Sequence, residues 1–227
     1  MLPHLSGLVL EKKSAEIHDQ LVRAIRLVGI FTVPSSIAFL LFGPLITHAL
    51  FFGISHGDSQ YLGNTLAGFS LGLLPLSVNL IALRGLNAFE NVKLQVVSNA
   101  LMNAVAIAIS VVLAITLPAK WVTVGLAGAL SVSYFVGAWC TLRLLRRYDV
   151  RVHIGETVGF YAKLVVLALL VAVPMRLLVG YLPGGNTLHL IFVLGVSGLG
   201  YVALAQLMGI TEVASAIQLL RKGRVSG

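Results

Sequence analysis

The sequence predicts an all-α, polytopic membrane protein with six transmembrane helices and both termini in the cytoplasm. Three observations carry that prediction. Of the 227 residues, 58% are hydrophobic and 11% charged, and the mean hydropathy is +0.96, whereas soluble domains are about a quarter charged. Six stretches have the length and apolarity of a bilayer crossing, which takes about 20 residues. Finally, if those stretches alternate in direction, all 16 Lys and Arg residues except Lys120 and Arg176 fall on one side. Cytoplasmic loops retain such positive charge.

Residues 1–26 form a cytoplasmic lead-in. Glu11, Lys12, Lys13, Glu16 and Asp19 interrupt it, so it lacks the apolar centre of a signal peptide. Within "EKKSAEIHDQLVRAIRL", Ile17, Leu21, Ala24, Ile25 and Val28 recur at helical spacing, as in an amphipathic helix at a membrane surface. The opening "MLPHLSGLVL" has the character of the end of a preceding apolar segment. Residues 27–145 hold four spans, at 27–54, 61–83, 94–119 and 121–142. A basic cytoplasmic linker follows at 146–157. Residues 158–210 hold the last pair, at 158–182 and 188–210, and 211–227 form a basic tail. All six are expected as helices, because backbone polar groups in hydrocarbon must be satisfied within the segment. The connections "SHGDSQ" (55–60) and "LPGGN" (182–186) carry turn residues.

The same composition excludes other classes. A net charge of +8 would suit a nucleic-acid binder, but the basic residues lie in short clusters between apolar runs, so no nucleic-acid partner is expected. Cys140 is the single cysteine, which leaves no disulfide, zinc or redox pattern. The histidines (His4, His18, His48, His56, His153, His189) face no obvious nucleophile, and His48 and His189 read as interfacial residues near span ends. Phosphate-binding loops are absent. No enzyme, metal or cofactor is expected.

Polar and kinking residues inside the spans are the remaining candidates. Pro34 and Pro44 share the first span, Pro75 lies in the second and Pro174 in the fifth; each removes a helix hydrogen bond. Asn79, Asn99 and Asn103 are candidates either for a polar cavity wall or for interhelical hydrogen bonds of about 1 kcal/mol each. Asn99 and Asn103 are four apart and share a face, which is expected to turn away from lipid. Gly125, Gly128 and Ala129, and Gly195, Gly198 and Gly200, are expected to let helices pack closely. Arg176 either snorkels to the headgroups or contacts an anionic lipid phosphate. Lys163 is an anchor near the cytoplasmic end of the same span, and Arg84 marks a cytoplasmic exit and is a candidate headgroup contact.

The order of these elements resembles the MurJ/MviN family of lipid II flippases. "MLPHLS", the basic lead-in and "VPSSIAFLLFGPLI" (33–46) are similar to a junction where a segment close to "ATALPHLS" ends one helix and the next contains "LPA". "LAGFSLGLLPLSVNLIALRGLNAFENVK" resembles the family stretch "YALGLPAFALVKVLSRAFYALQDTRTP". Arg84 falls on the family arginine and Ala88 on its alanine. The chain departs at Leu86-Asn87, Asn91 and Leu94-Gln95, where the family has Phe-Tyr, Asp and Thr-Pro. The resemblance implies a plasma-membrane transporter in peptidoglycan biosynthesis whose partners are membrane lipids and a polyprenyl-linked substrate. Family members have fourteen helices, in two six-helix lobes plus a pair forming a lipid-tail groove. This chain would then be the last six helices, inactive without the missing first lobe or a partner chain. The groove would be walled by Leu164, Leu167, Val171, Val193, Leu194 and Val196, with Lys163 and Arg176 at its mouths. The alternatives are half of a polysaccharide or drug exporter of the same superfamily, and a non-transporting scaffold or truncated remnant.

Overall fold

The structure, a computed structural model, describes residues 2–51, 53–89, 91–150, 152, 154–178 and 186–208, with side chains from Ser14 onward except those of 154 and 186–189. The turn at 182–185, the tail at 211–227, His153, and the side chains of His4, Lys12, Lys13 and His189 lie outside the described residues.

Every regular element among the described residues is helical. They are α1 (Leu2–Leu50), α2 (His56–Ala88), α3 (Val92–Thr116), α4 (Ala119–Leu145) with a 3-10 turn (Arg146–Tyr148), α5 (Ile154–Leu178) and α6 (Asn186–Leu207). Each of the six contains a stretch long and apolar enough to cross a membrane, as the sequence predicts. Lead-in and first span are one continuous helix of 49 residues. No helix-breaking signal separates them, and Pro34 and Pro44 are both accommodated within α1.

The chain forms two compact units. The first comprises Met1–Arg26 and Gly72–Val158; the second comprises Leu27–Leu71 and Gly159–Gly227. The divisions fall inside α1, α2 and α5 rather than between helices.

In the first unit the amphipathic stripe of the lead-in packs on protein. Leu21 and Ile25 are buried together with Leu86 and Leu145, and a methyl group added at Gly85 would come within 2.7 Å of Leu21 Cδ1. Asn91 caps α3, its side chain accepting a hydrogen bond from Leu94 N at 3.3 Å, a contribution of about 1 kcal/mol. The same side chain donates to Tyr148 Oη at 2.7 Å, and the Tyr148 ring stacks on Phe89 at 4.3 Å. These contacts dock the start of the basic linker, where Asp149 adopts φ 57°, a left-handed conformation that short polar side chains tolerate. Val150 and Val152 are buried. α3 packs on α4, yet only 11% of its apolar window is buried against 39% for α2, so most of α3 faces away from the unit.

In the second unit α1 and α2 approach backbone to backbone. A methyl group at Gly43 would sit 2.5 Å from Gly63 O, and one at Gly63 would collide with Pro44 N. Thr47 ties the same crossing, donating from Oγ1 to Ser59 O at 2.7 Å, and both residues are buried. Tyr161 of α5 fills the space over Gly29.

The close-packing role expected of the α4 and α6 small residues is borne out in part. A methyl group placed at Gly125 would lie 2.5 Å from Leu117 Cδ1 and one at Gly200 3.1 Å from Val171, and Ala129 is buried, but nothing lies within 4 Å of one placed at Gly128, Gly195 or Gly198. Further tight positions are Gly29, Gly43 and Gly63 in the second unit, with Gly72, Gly85 and Gly137 in the first. Small residues spaced along one helix permit contact only where a second helix crosses, and spacing alone does not locate the crossing.

Candidate functional site

The first unit contains a closed polar cluster. Asn79 of α2 is 1% exposed. Thr141 of α4 donates from Oγ1 to Asn79 Oδ1 at 2.7 Å, with Gly137 O as a second acceptor at 2.9 Å. A hydroxyl has one proton, so Ser98 of α3, 2.6 Å from Thr141 Oγ1, is the donor in that pair. Asn79 Nδ2 reaches Met102 Sδ at 3.6 Å. Three helices are joined through side chains whose polar atoms all have partners, with Gly137 leaving no room for more than a hydrogen beside Met102. Of the two readings open for Asn79, interhelical bonding describes this geometry. No cavity reaches it among those described.

Asn99 and Asn103 behave differently. Asn99 is half-buried and Asn103 exposed, and neither makes a side-chain hydrogen bond among the described residues. The expectation that their shared face turns inward is not met within the unit, because α3 uses the neighbouring Ser98 and Ala106 for its contact. Arg84 is exposed at the rim of a cleft of about 190 Å3, lined also by Gln20, Leu21, Ile81 and Ala88.

Two clefts lie among the described residues of the second unit. The larger, about 280 Å3, lies among α1, α5 and α6 and is lined by Ile37, Phe39, Phe42, Ala168, Ala172 and Leu194, with Ser197, Gly198 and Tyr201 along α6. Its wall is nearly all carbon, but Ser197 Oγ and Tyr201 Oη are buried without a hydrogen-bond partner. Tyr201 is 4% exposed. Ser197 and Tyr201 are four apart and therefore on one face of α6. Two unpartnered hydroxyls at an apolar cleft are costly, by about 1–3 kcal/mol each, unless a ligand or water meets them.

The smaller cleft, about 210 Å3, is lined by Leu41, Phe42, Pro44, Leu45, His48, His56, Ser59, Gln60 and Arg176. Arg176 Nε donates to Leu41 O at 3.1 Å. Pro44 removes the helix bond to the adjacent Leu40 O, so the acceptor lies beside a break in the α1 hydrogen-bond ladder. His48 and His56 meet edge to face with centroids 6.3 Å apart. Phe42 belongs to both clefts.

The sequence-derived groove wall is thus partly redrawn. Leu194 lines the larger cleft, but Leu164, Leu167 and Val193 are fully packed inside the unit. Val171 lies against Gly200, and Val196 is exposed. The rest of the lining comes from α1, from the alanines of α5 and from Ser197, Gly198 and Tyr201 of α6, because a helix pair fills its own seam with large aliphatics and leaves space only where small residues face a third helix. Lys163 is exposed and makes no polar contact among the described residues. His48, His56, Ser197, Gly198 and Tyr201 were not singled out by sequence as a site. The one available signal was the pair of histidines flanking a single turn.

Compared with known proteins, residues 1–197 match the family model described as lipid II flippase MurJ. No curated protein matches the chain.

Proposed function

The chain belongs to the MurJ lipid II flippase family, and on that premise we propose that it forms the last six helices of a flippase for polyprenyl-linked peptidoglycan precursor in the plasma membrane. The family is one of transporters rather than enzymes. The observation that supports the reading best is the apolar cleft of about 280 Å3 among α1, α5 and α6. It involves the helix pair that the resemblance assigns to the lipid tail, and an isoprenoid chain is the kind of ligand such a wall accepts. Six spans provide fewer helices than the fourteen of the family pattern, and alternating access requires two lobes that rock around a shared site. Expressed alone, the chain is therefore expected not to restore growth to cells depleted of their lipid II flippase. Restored growth would overturn the part-protein reading.

The charge asymmetry supports placing both termini in the cytoplasm. Reporter fusions after Gly57 and Gly185 should read as external and one after Asp149 as internal. An internal signal from Gly185 would remove the six-span topology.

The cleft itself is tested on α6. Gly198 lines it and has open space for a side chain, whereas Gly195 has equal space but does not line it. In native mass spectrometry of the purified chain, Gly198→Leu should lose polyprenyl phosphate adducts and Gly195→Leu should keep them. Equal adducts in both variants would leave the cleft without a role in lipid binding.

A further inference from the structure

The smaller cleft of the second unit has a chemistry that the apolar cleft lacks. It gathers one guanidinium and two imidazoles from three helices: His48 from α1, His56 from α2 and Arg176 from α5. No acidic side chain lines it. The nearby Asp58 is already engaged by Ser55, whose Oγ donates to Asp58 Oδ2 at 2.7 Å. Arg176 uses Nε on Leu41 O, and its two terminal nitrogens make no hydrogen bond or ion pair among the described residues. That single anchor leaves the fork of terminal donors available. His48 Nδ1 is buried without a partner, which costs free energy until something meets it. Gln60 adds an amide at the same wall. The frame is rigid, since the Gly43–Gly63 approach and the Thr47–Ser59 bond hold α1 and α2 together beside it.

We propose that this cleft is a binding site for a phosphate-type anion carrying an apolar arm, held by Arg176, His48 and His56. A cation is disfavoured by Arg176, which cannot deprotonate. A planar fork of N–H groups matches two oxygens of a phosphate, and an imidazole supplies a further donor through the ring nitrogen that carries its proton, when that nitrogen faces the anion. Leu41, Phe42, Pro44 and Leu45 give the arm an apolar seat, and about 210 Å3 leaves room for it beside the phosphate. A lipid headgroup and a free phosphate ester share this chemistry. The site does not depend on the polyprenyl reading, because Gly198→Leu tests the other cleft separately.

The test uses the full chain in nanodiscs of neutral phosphatidylcholine, with thermal unfolding as the readout, since a ligand of the folded state raises the midpoint. One arm titrates inorganic phosphate; the other replaces part of the neutral lipid with phosphatidylglycerol. The midpoint should rise in at least one arm. A rise with phosphatidylglycerol alone assigns the anion to a headgroup, and a rise with inorganic phosphate assigns it to solution. Arg176→Gln should weaken the response by about tenfold or more, as loss of a charged hydrogen-bond donor does. Arg176→Lys should fall between, and His48→Gln should weaken it severalfold. Midpoints of the variants in neutral lipid without phosphate report whether each is folded. A response in neither arm overturns the proposal, and so does a response that folded Arg176→Gln or His48→Gln leaves unchanged.

Discussion

Two groups of buried hydroxyls in this molecule have opposite fates. In the first unit Ser98 and Thr141 meet each other and Asn79 within hydrogen-bonding distance, and the neighbouring Gly137 is hemmed in by Met102. In the second unit the hydroxyl oxygens of Ser197 and Tyr201 are also shielded but have no partner, and the neighbouring Gly198 has nothing around it. The amino-acid types are similar and so is their helical setting. What differs is whether a third helix supplies an acceptor or a cavity intervenes. Polar groups within apolar helices therefore do not mark function by themselves; those that end in a cavity unsatisfied do, because something other than the protein must complete them.

The largest effect expected from this contrast is at Gly137. A methyl group there would lie 2.8 Å from Met102 Sδ, so Gly137→Val should destabilise the chain by about 3 kcal/mol, in the upper range for overpacking. Reversible unfolding in mixed micelles would measure it, and a near-native midpoint would mean that the cluster is looser than its distances indicate. Thr141→Val comes next. It strands Asn79 Oδ1 and removes the acceptor of Ser98, at a cost of about 1–3 kcal/mol. Tyr201→Phe, by contrast, deletes a hydroxyl with no bond to lose and should change stability by less than about 0.5 kcal/mol, in the stabilising direction if at all. Measured side by side, a Tyr201→Phe loss as large as that of Thr141→Val would erase the distinction between the two groups. The smallest effect is expected at Asn103, exposed on α3: Asn103→Leu should shift the midpoint by no more than about 0.5 kcal/mol, as for a surface position.

The helices were legible in the sequence because the bilayer imposes a length and an apolarity on every crossing, and six runs meet both, all but the fifth without a charge. Asn79 was legible as a polar residue in a span, but its partner was not, since Thr141 lies sixty-two residues away in sequence and threonine is unremarkable in such helices. The glycines show the same limit from the other side. Of Gly195, Gly198 and Gly200, which looked like a packing surface, Gly200 alone meets a neighbour, and the approach of backbone to backbone is between Gly43 and Gly63, single residues on different helices with no shared pattern. His48 looked interfacial for the same reason, because nothing local indicates that Arg176 joins it. Arg176 itself stood out, as any arginine in an apolar run does, but its anchor is a carbonyl near Pro44 that only the folded chain brings within reach.

The empty space around Gly198 also makes this chain unusually simple to instrument. Cys140 is its only cysteine, so Cys140→Ala yields a background free of thiols, and Gly198→Cys then installs one at the cleft wall without displacing a neighbour. A nitroxide or environment-sensitive dye attached there would report polarity and water access at that wall directly. The matching label at Gly195, one turn away on α6 and outside the lining, would supply the baseline from the same helix.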